Sequence, residues 1–228
     1  MKKLFIAALL ICPLAMGQTQ QTTGTAAAQA NATQKNDDSK KDASKKKDKD
    51  EITAATVARK GAWEWGGFFE GGTGVGKRST TQFVFFGARG GRVLTAEHLP
   101  GFLKGTFEWA VDIIPMYYTK QPTAGTNTLG FSFNPAVWKW NFTSNKRVIP
   151  YAEIAGGVLV TGKDVPTGTN NVNFTPQGGF GIDFLRDKKK QAFTANIKYQ
   201  HISNAGIANS NSGINASVIF GVGYTWWR

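Results

Sequence analysis

From Gly61 to its C-terminus the chain alternates apolar with small or polar residues and carries no helical period. The last segment is the clearest. Ile214, Ala216, Val218, Phe220, Val222, Tyr224 and Trp226 are apolar, and Asn215, Ser217, Ile219, Gly221, Gly223, Thr225 and Trp227 stand between them. A period of two puts successive side chains on opposite faces of an extended strand. The same pattern predicts strands over 63–75, 81–93, 105–118, 128–141, 148–161, 172–185 and 192–203, with the eighth over 214–227. Turn-forming residues separate them, among them Pro100-Gly101, Ser144-Asn145-Lys146, Asp187 to Lys190 and Asn204 to Gly213. Pro135 interrupts the fourth segment and the apolar parity shifts there, so a bulge is expected. No apolar run after the first residues is long enough for a transmembrane helix.

Eight amphipathic strands without covering helices leave two architectures. One is a soluble barrel or sandwich with an apolar interior. The other is an outer-membrane barrel, apolar outside and polar within. Three features favour the membrane. Aromatics gather at strand ends (Trp63, Trp65, Trp138, Trp140, Trp226, Trp227), as a membrane girdle requires. Glu108, Asp112, Glu153, Asp183 and Lys198 fall within strands on one parity; a soluble core would bury them at heavy cost, whereas a narrow lumen can pair them. The chain also ends on an aromatic strand. The reading is therefore an all-β, eight-stranded antiparallel outer-membrane barrel over 61–228, its lumen filled by side chains rather than open as a pore. An even strand count puts both ends of the barrel on one side, which in outer-membrane barrels is the periplasm. The 187–190 turn is then periplasmic and the 204–213 loop extracellular.

The first sixty residues read differently. Lys2-Lys3, the apolar stretch Leu4 to Leu14 and the small residues before Gln18 make a secretory signal over 1–17, with cleavage after Gly17. Residues 18–60 contain no aromatic residue and alternate Lys with Asp from Asp37 to Glu51. This composition cannot offset chain entropy by burial, so 18–60 is expected to be a disordered, solvated periplasmic tether. Of the formal net charge of +12, the barrel segment carries 16 Lys and Arg against 9 acids, spread over turns and strands. No basic stripe interleaved with aromatics emerges, which argues against nucleic acid as a partner. The lone cysteine, Cys12, leaves with the signal, and two histidines cannot build a multi-histidine metal site. No cofactor is implied.

Of the two histidines, His98 reads as an ordinary loop residue beside Pro100. The other sits in Tyr199-Gln200-His201-Ile202-Ser203-Asn204-Ala205-Gly206. His201 and Ser203 are two apart on a strand and share the apolar face of Phe193, Ala195, Ile197 and Tyr199, hence the face toward lipid. Polar groups there are costly and ask for a reason. An imidazole beside a hydroxyl is the minimum for activating a serine nucleophile, and the backbone N–H groups of Asn204, Ala205 and Gly206 could form an oxyanion hole. A His and a Ser wetted by headgroups at a strand end would look the same.

The segment His201-Ile202-Ser203-Asn204-Ala205-Gly206, with Asn211-Ser212-Gly213-Ile214-Asn215 and the short aromatic last strand, resembles the lipid A 3-O-deacylase (PagL-like, or acyloxyacyl hydrolase) family. The resemblance implies an esterase that removes the 3-hydroxyacyl chain from lipid A or lipopolysaccharide in the outer leaflet. It would use His201 as base, Ser203 as nucleophile and Asn204 with the Ala205–Gly206 backbone as the oxyanion region, with no metal. In that family a glutamate orients the imidazole where this chain has Asn215. An amide oxygen can hold the tautomer but cannot offset the imidazolium charge, and losing a triad carboxylate can cost about 10⁴ in turnover. Asn215 also lies on the small-residue parity, so a bulge or a loop register must bring it round to meet His201. The alternative is a catalytically silent structural or anchoring barrel on the same scaffold. Whether the barrel works alone or as a homodimer stays open.

Overall fold

The computed structural model describes residues 51–208, 210 and 213–228. The signal at 1–17 and the tether up to residue 50 lie outside them. A short helix, α1 (Ala54–Val57), precedes nine strands: β1 (Trp63–Gly74), β2 (Gln82–Val93), β3 (Gly105–Gln121), β4 (Thr126–Phe142), β5 (Val148–Thr161), β6 (Val172–Phe174), β7 (Gln177–Leu185), β8 (Gln191–Ile202) and β9 (Ile214–Trp227). Each pairs antiparallel with its sequence neighbours, β6 and β7 both lie along β5, and β9 returns to β1, with Glu64 opposite Trp227 and Gly74 opposite Ser217. The result is a closed eight-stranded barrel in which β6 and β7 are one wall strand in two pieces. The break is at Pro176, which has no N–H for a ladder bond. The expected bulge at Pro135 is present: the β4–β5 register shifts between Phe133 and Ala136. A second shift, between Ile114 and Tyr117, flanks Pro115.

Closure removes strand edges and leaves two surfaces. The outer one carries exposed Phe69, Ile113, Leu129, Ile154, Phe180, Phe193, Phe220 and Val222, with Trp63, Trp65, Trp109, Trp138 and Trp226 toward the end that holds the termini. So large an exposed apolar surface requires hydrocarbon around it. Trp227 does not belong to the girdle. It points inward and is 3 % exposed.

The interior is stacked in three layers. Nearest the β8–β9 loop is an apolar plug of Phe83, Phe85, Ile114, Tyr117, Leu159, Val165, Ile202, Ile214 and Ile219. Below it lie the charged residues, paired as expected: Arg89 with Asp112 and Glu153, Lys198 with Glu70 and Glu153, Lys139 with Glu64 and Asp183. The remaining void there is about 20 Å³, room for one water.

The third layer corrects the boundary of the tether at residue 60. Thr53 caps α1, accepting from the Thr56 N–H at 3.3 Å while its own N–H donates to Thr56 Oγ1 at 2.9 Å. Ala54, Val57 and Ala58 are buried against Ile149, Leu185, Ala192 and Trp227, and the Ala54 N–H donates to the Lys146 carbonyl. The ordered structure thus reaches back into the segment read as tether. A run of small and β-branched residues (Ile52-Thr53-Ala54-Ala55-Thr56-Val57-Ala58) is too short to signal a helix by period, yet it fits the barrel mouth.

Candidate functional site

Three pieces of chain meet at the C-terminal end of β8: the β6–β7 break, the end of β8 and the start of β9. The His201 N–H donates to the Pro176 carbonyl at 2.9 Å, and Ser203 exchanges backbone bonds with Phe174 in an isolated bridge. Ile202 and Asn204 are fully buried, whereas His201 and Ser203 are partly exposed. This alternation puts the His–Ser pair on the outward, lipid-side surface. Ile202 is the anchor: its side chain sits in the outer apolar plug beside Ile214.

The β8–β9 register supplies the bulge that Asn215 needs. Gln200 stands opposite Ser217 and Ile202 opposite Ile214, so His201 faces two residues, Asn215 and Ala216. The extra residue reverses the parity of the first turn of β9. Ile214, outward by simple alternation, is buried in the plug, and Asn215 is exposed. Gly213 makes the approach feasible. A Cβ there would lie 2.3 Å from the Ile202 carbonyl oxygen and 3.0 Å from Ser203 Cβ.

Asn215 reaches the imidazole through its main chain, not its amide. His201 Nδ1 lies 3.1 Å from the Asn215 carbonyl oxygen. A carbonyl only accepts, so Nδ1 carries a proton; in the neutral imidazole the lone pair is then on Nε2, the tautomer a general base requires. The Tyr199 hydroxyl donates to the same oxygen. Tyr199 was legible in the sequence only as one more aromatic of the outward face. No hydrogen bond joins His201 to Ser203.

Of the three backbone N–H groups expected to serve an oxyanion, that of Gly206 is committed elsewhere. Asn204 Nδ2 donates to the Ser210 carbonyl at 2.6 Å, and the Gly206 N–H donates to Asn204 Oδ1 at 2.9 Å. Ala205 and Gly206 both have positive φ, 51° and 81°, which folds the loop back over Asn204. The Ala205 N–H has no partner among the described residues. His98 is remote in sequence and role: it closes the 94–104 turn, between β2 and β3, by a two-way backbone bridge to Gly105. Among the described residues no group of three His, Cys, Asp or Glu side chains could hold a metal ion.

Residues 97–225 match the family described as lipid A 3-O-deacylase (PagL). The chain belongs to that family. Among solved structures it is similar to the outer-membrane enzyme PagL, at 17% identity over 70% of this chain and 98% of that one, with a TM-score of 0.44. It is also similar to the outer-membrane protein AlkL, at 9% identity over 75% of this chain and 91% of that one (TM-score 0.38). OmpT of Vibrio cholerae is more distant, at 9% identity over 69% of this chain and 46% of that one (TM-score 0.27). No curated protein matches it. This PagL-family chain is an outer-membrane barrel, and the His–Ser segment lies within the matched range.

Proposed function

We propose that this PagL-family barrel is a serine esterase that removes the ester-linked 3-hydroxyacyl chain of lipid A or a related glycolipid. Substrate reaches the outward face laterally within the outer leaflet. His201 Nε2 takes the Ser203 Oγ proton as Oγ bonds to the ester carbonyl carbon. The tetrahedral intermediate then collapses, the bond to the sugar oxygen breaks, and the imidazolium proton passes to that oxygen. Water, deprotonated by the same nitrogen, releases the 3-hydroxy acid and restores the serine. The Asn204 and Ala205 N–H groups, neither with a partner among the described residues, are the donors left to meet the oxyanion.

One observation carries this reading: the 3.1 Å contact from His201 Nδ1 to the Asn215 carbonyl, which in the neutral imidazole leaves the lone pair on Nε2. Much of the cost of replacing a triad carboxylate by an amide comes from the wrong tautomer. Here a carbonyl enforces the right one, so the loss is confined to the uncompensated imidazolium charge.

The missing His201–Ser203 bond favours a second reading, a silent barrel on the same scaffold, although such bonds are often long in unliganded sites and tighten only with substrate. Mass spectrometry of lipid A decides between them. In a host whose lipid A carries a 3-O-acyl chain, wild type is expected to remove that chain, while His201→Ala and Ser203→Ala leave it in place. The same lipid A from all three strains would rule out the esterase.

A further inference from the structure

We propose that Tyr199 is a positioning residue of this site: its hydroxyl and the His201 imidazole converge on the Asn215 main-chain oxygen, and together they replace the orienting carboxylate. The inference rests on the esterase reading for its effect on rate, but the contact itself stands on geometry.

The bulge comes first. Where β8 and β9 lose register, one residue of β8 faces two of β9, and the Asn215 carbonyl takes side-chain donors. A carbonyl oxygen has two lone pairs and accepts two such bonds. Tyr199 and His201 are two apart on β8, so both side chains leave the same face. The Tyr199 ring is half exposed among the outward apolar residues. Its hydroxyl needs a partner wherever water is scarce. It turns to the Asn215 oxygen, not away toward the surface.

A main-chain carbonyl is neutral, so it holds an imidazole less firmly than a carboxylate does. It can also tilt, because a bulge peptide lacks the support of a regular ladder. The second donor removes that freedom: turning the peptide would now break two bonds. With the oxygen fixed, Nδ1–H has one acceptor in one place, and the imidazole is held in one orientation. The Asn215 amide takes no part in this. Its side chain is exposed and makes no hydrogen bond among the described residues.

Tyr199→Phe removes only the hydroxyl. In the barrel folded in detergent micelles, long-range proton–nitrogen NMR reads the two ring nitrogens of each histidine, with exposed His98 as internal control. Wild-type His201 should show the Nδ1–H form alone, and Tyr199→Phe a mixture of both tautomers. With lipid A as substrate, kcat should fall about tenfold while KM stays unchanged, because orientation and not binding is lost. Asn215→Ala, which keeps the main-chain oxygen, should leave the His201 tautomer as in wild type. A single Nδ1–H form and unaltered kcat in Tyr199→Phe would overturn the proposal. So would a tautomer change in Asn215→Ala with none in Tyr199→Phe. A wild-type barrel with the expected tautomers that leaves lipid A uncut would uphold the contact and refute the esterase.

Discussion

At the scale of single residues the site depends on close approach. His201, Ser203 and Asn215 were legible in the sequence, two of them from strand parity and a short motif. That Asn215 would meet His201 through its backbone was not, because a side-chain name says nothing about which atom a bulge presents. Tyr199 was hidden for a related reason. On a membrane barrel an outward tyrosine reads as part of the aromatic girdle, and only the bulge gives its hydroxyl something to hold. Gly213 is the residue whose identity the geometry constrains most. Gly213→Ala would drive a methyl group to within 2.3 Å of the Ile202 carbonyl and 3.0 Å of Ser203 Cβ. The neighbouring contact is backbone, so the β9 entry has to shift and carry Asn215 away from His201. The variant is expected to fold, seen as unchanged heat-modifiable mobility in gel electrophoresis, and to lose at least about 90% of wild-type deacylation, since misplacement by about 1 Å can cost 10²-fold.

Among the elements, β1, β5 and β9 followed from alternation almost to the residue, because each has an apolar face that only one register can turn outward. The sixth segment did not. Its parity runs through Thr175-Pro176 unbroken, but the missing proline N–H splits it into β6 and β7, and His201 and Ser203 bond to the backbone on either side. Helix α1 escaped because seven residues hold too little period to read, whereas its fit to Trp227 is a tertiary fact. The 94–104 turn offers a test by pH. Partial burial pushes the Glu97 carboxyl up, but hydrogen bonds from Lys104 and Thr143 and the Lys104 charge outweigh it and hold the group below its usual 4.5. A carboxyl lowered by folding stabilises the turn above its unfolded value, and the contribution is lost as pH falls through the lowered one. Exchange protection of the His98 and Gly105 amides, which close this turn, should therefore hold from about neutral pH down to the ordinary glutamate range and drop below it. Glu97→Gln should abolish that step. A step that persists in Glu97→Gln would assign it to another group.

For the whole molecule, what matters is that lumen charges are held by one another between two apolar plugs. Six carboxyl groups (Glu64, Glu70, Glu108, Asp112, Glu153, Asp183) face three cations (Arg89, Lys139, Lys198), all of them buried. Each cation is therefore shared between two carboxyls, and Glu108 makes do with the Asn141 amide at 2.7 Å. Lys139 shows what such sharing costs to break. Its Nζ lies 2.7 Å from Glu64, 3.4 Å from Asp183 and 4.4 Å from the centre of the Tyr151 ring, with its side chain 2 % exposed. Lys139→Met keeps the stem and removes the charge, leaving two buried carboxylates without a cation. Removing one partner of a buried pair costs about 3–5 kcal/mol, far more than the pair contributes relative to an apolar replacement. Urea unfolding of the barrel in lipid vesicles should show that loss. Lys146→Met supplies the contrast: Lys146 pairs with Glu51 at 3.3 Å, but the two side chains are 74 % and 52 % exposed. Water and salt screen such a pair, so its removal should change stability by at most about 0.5 kcal/mol. Adding Glu64→Gln to Lys139→Met should recover part of the loss, because it takes away one of the stranded charges. If the double variant unfolds no later than the single one, the cost lies in packing at Tyr151 and not in the unpaired carboxylates.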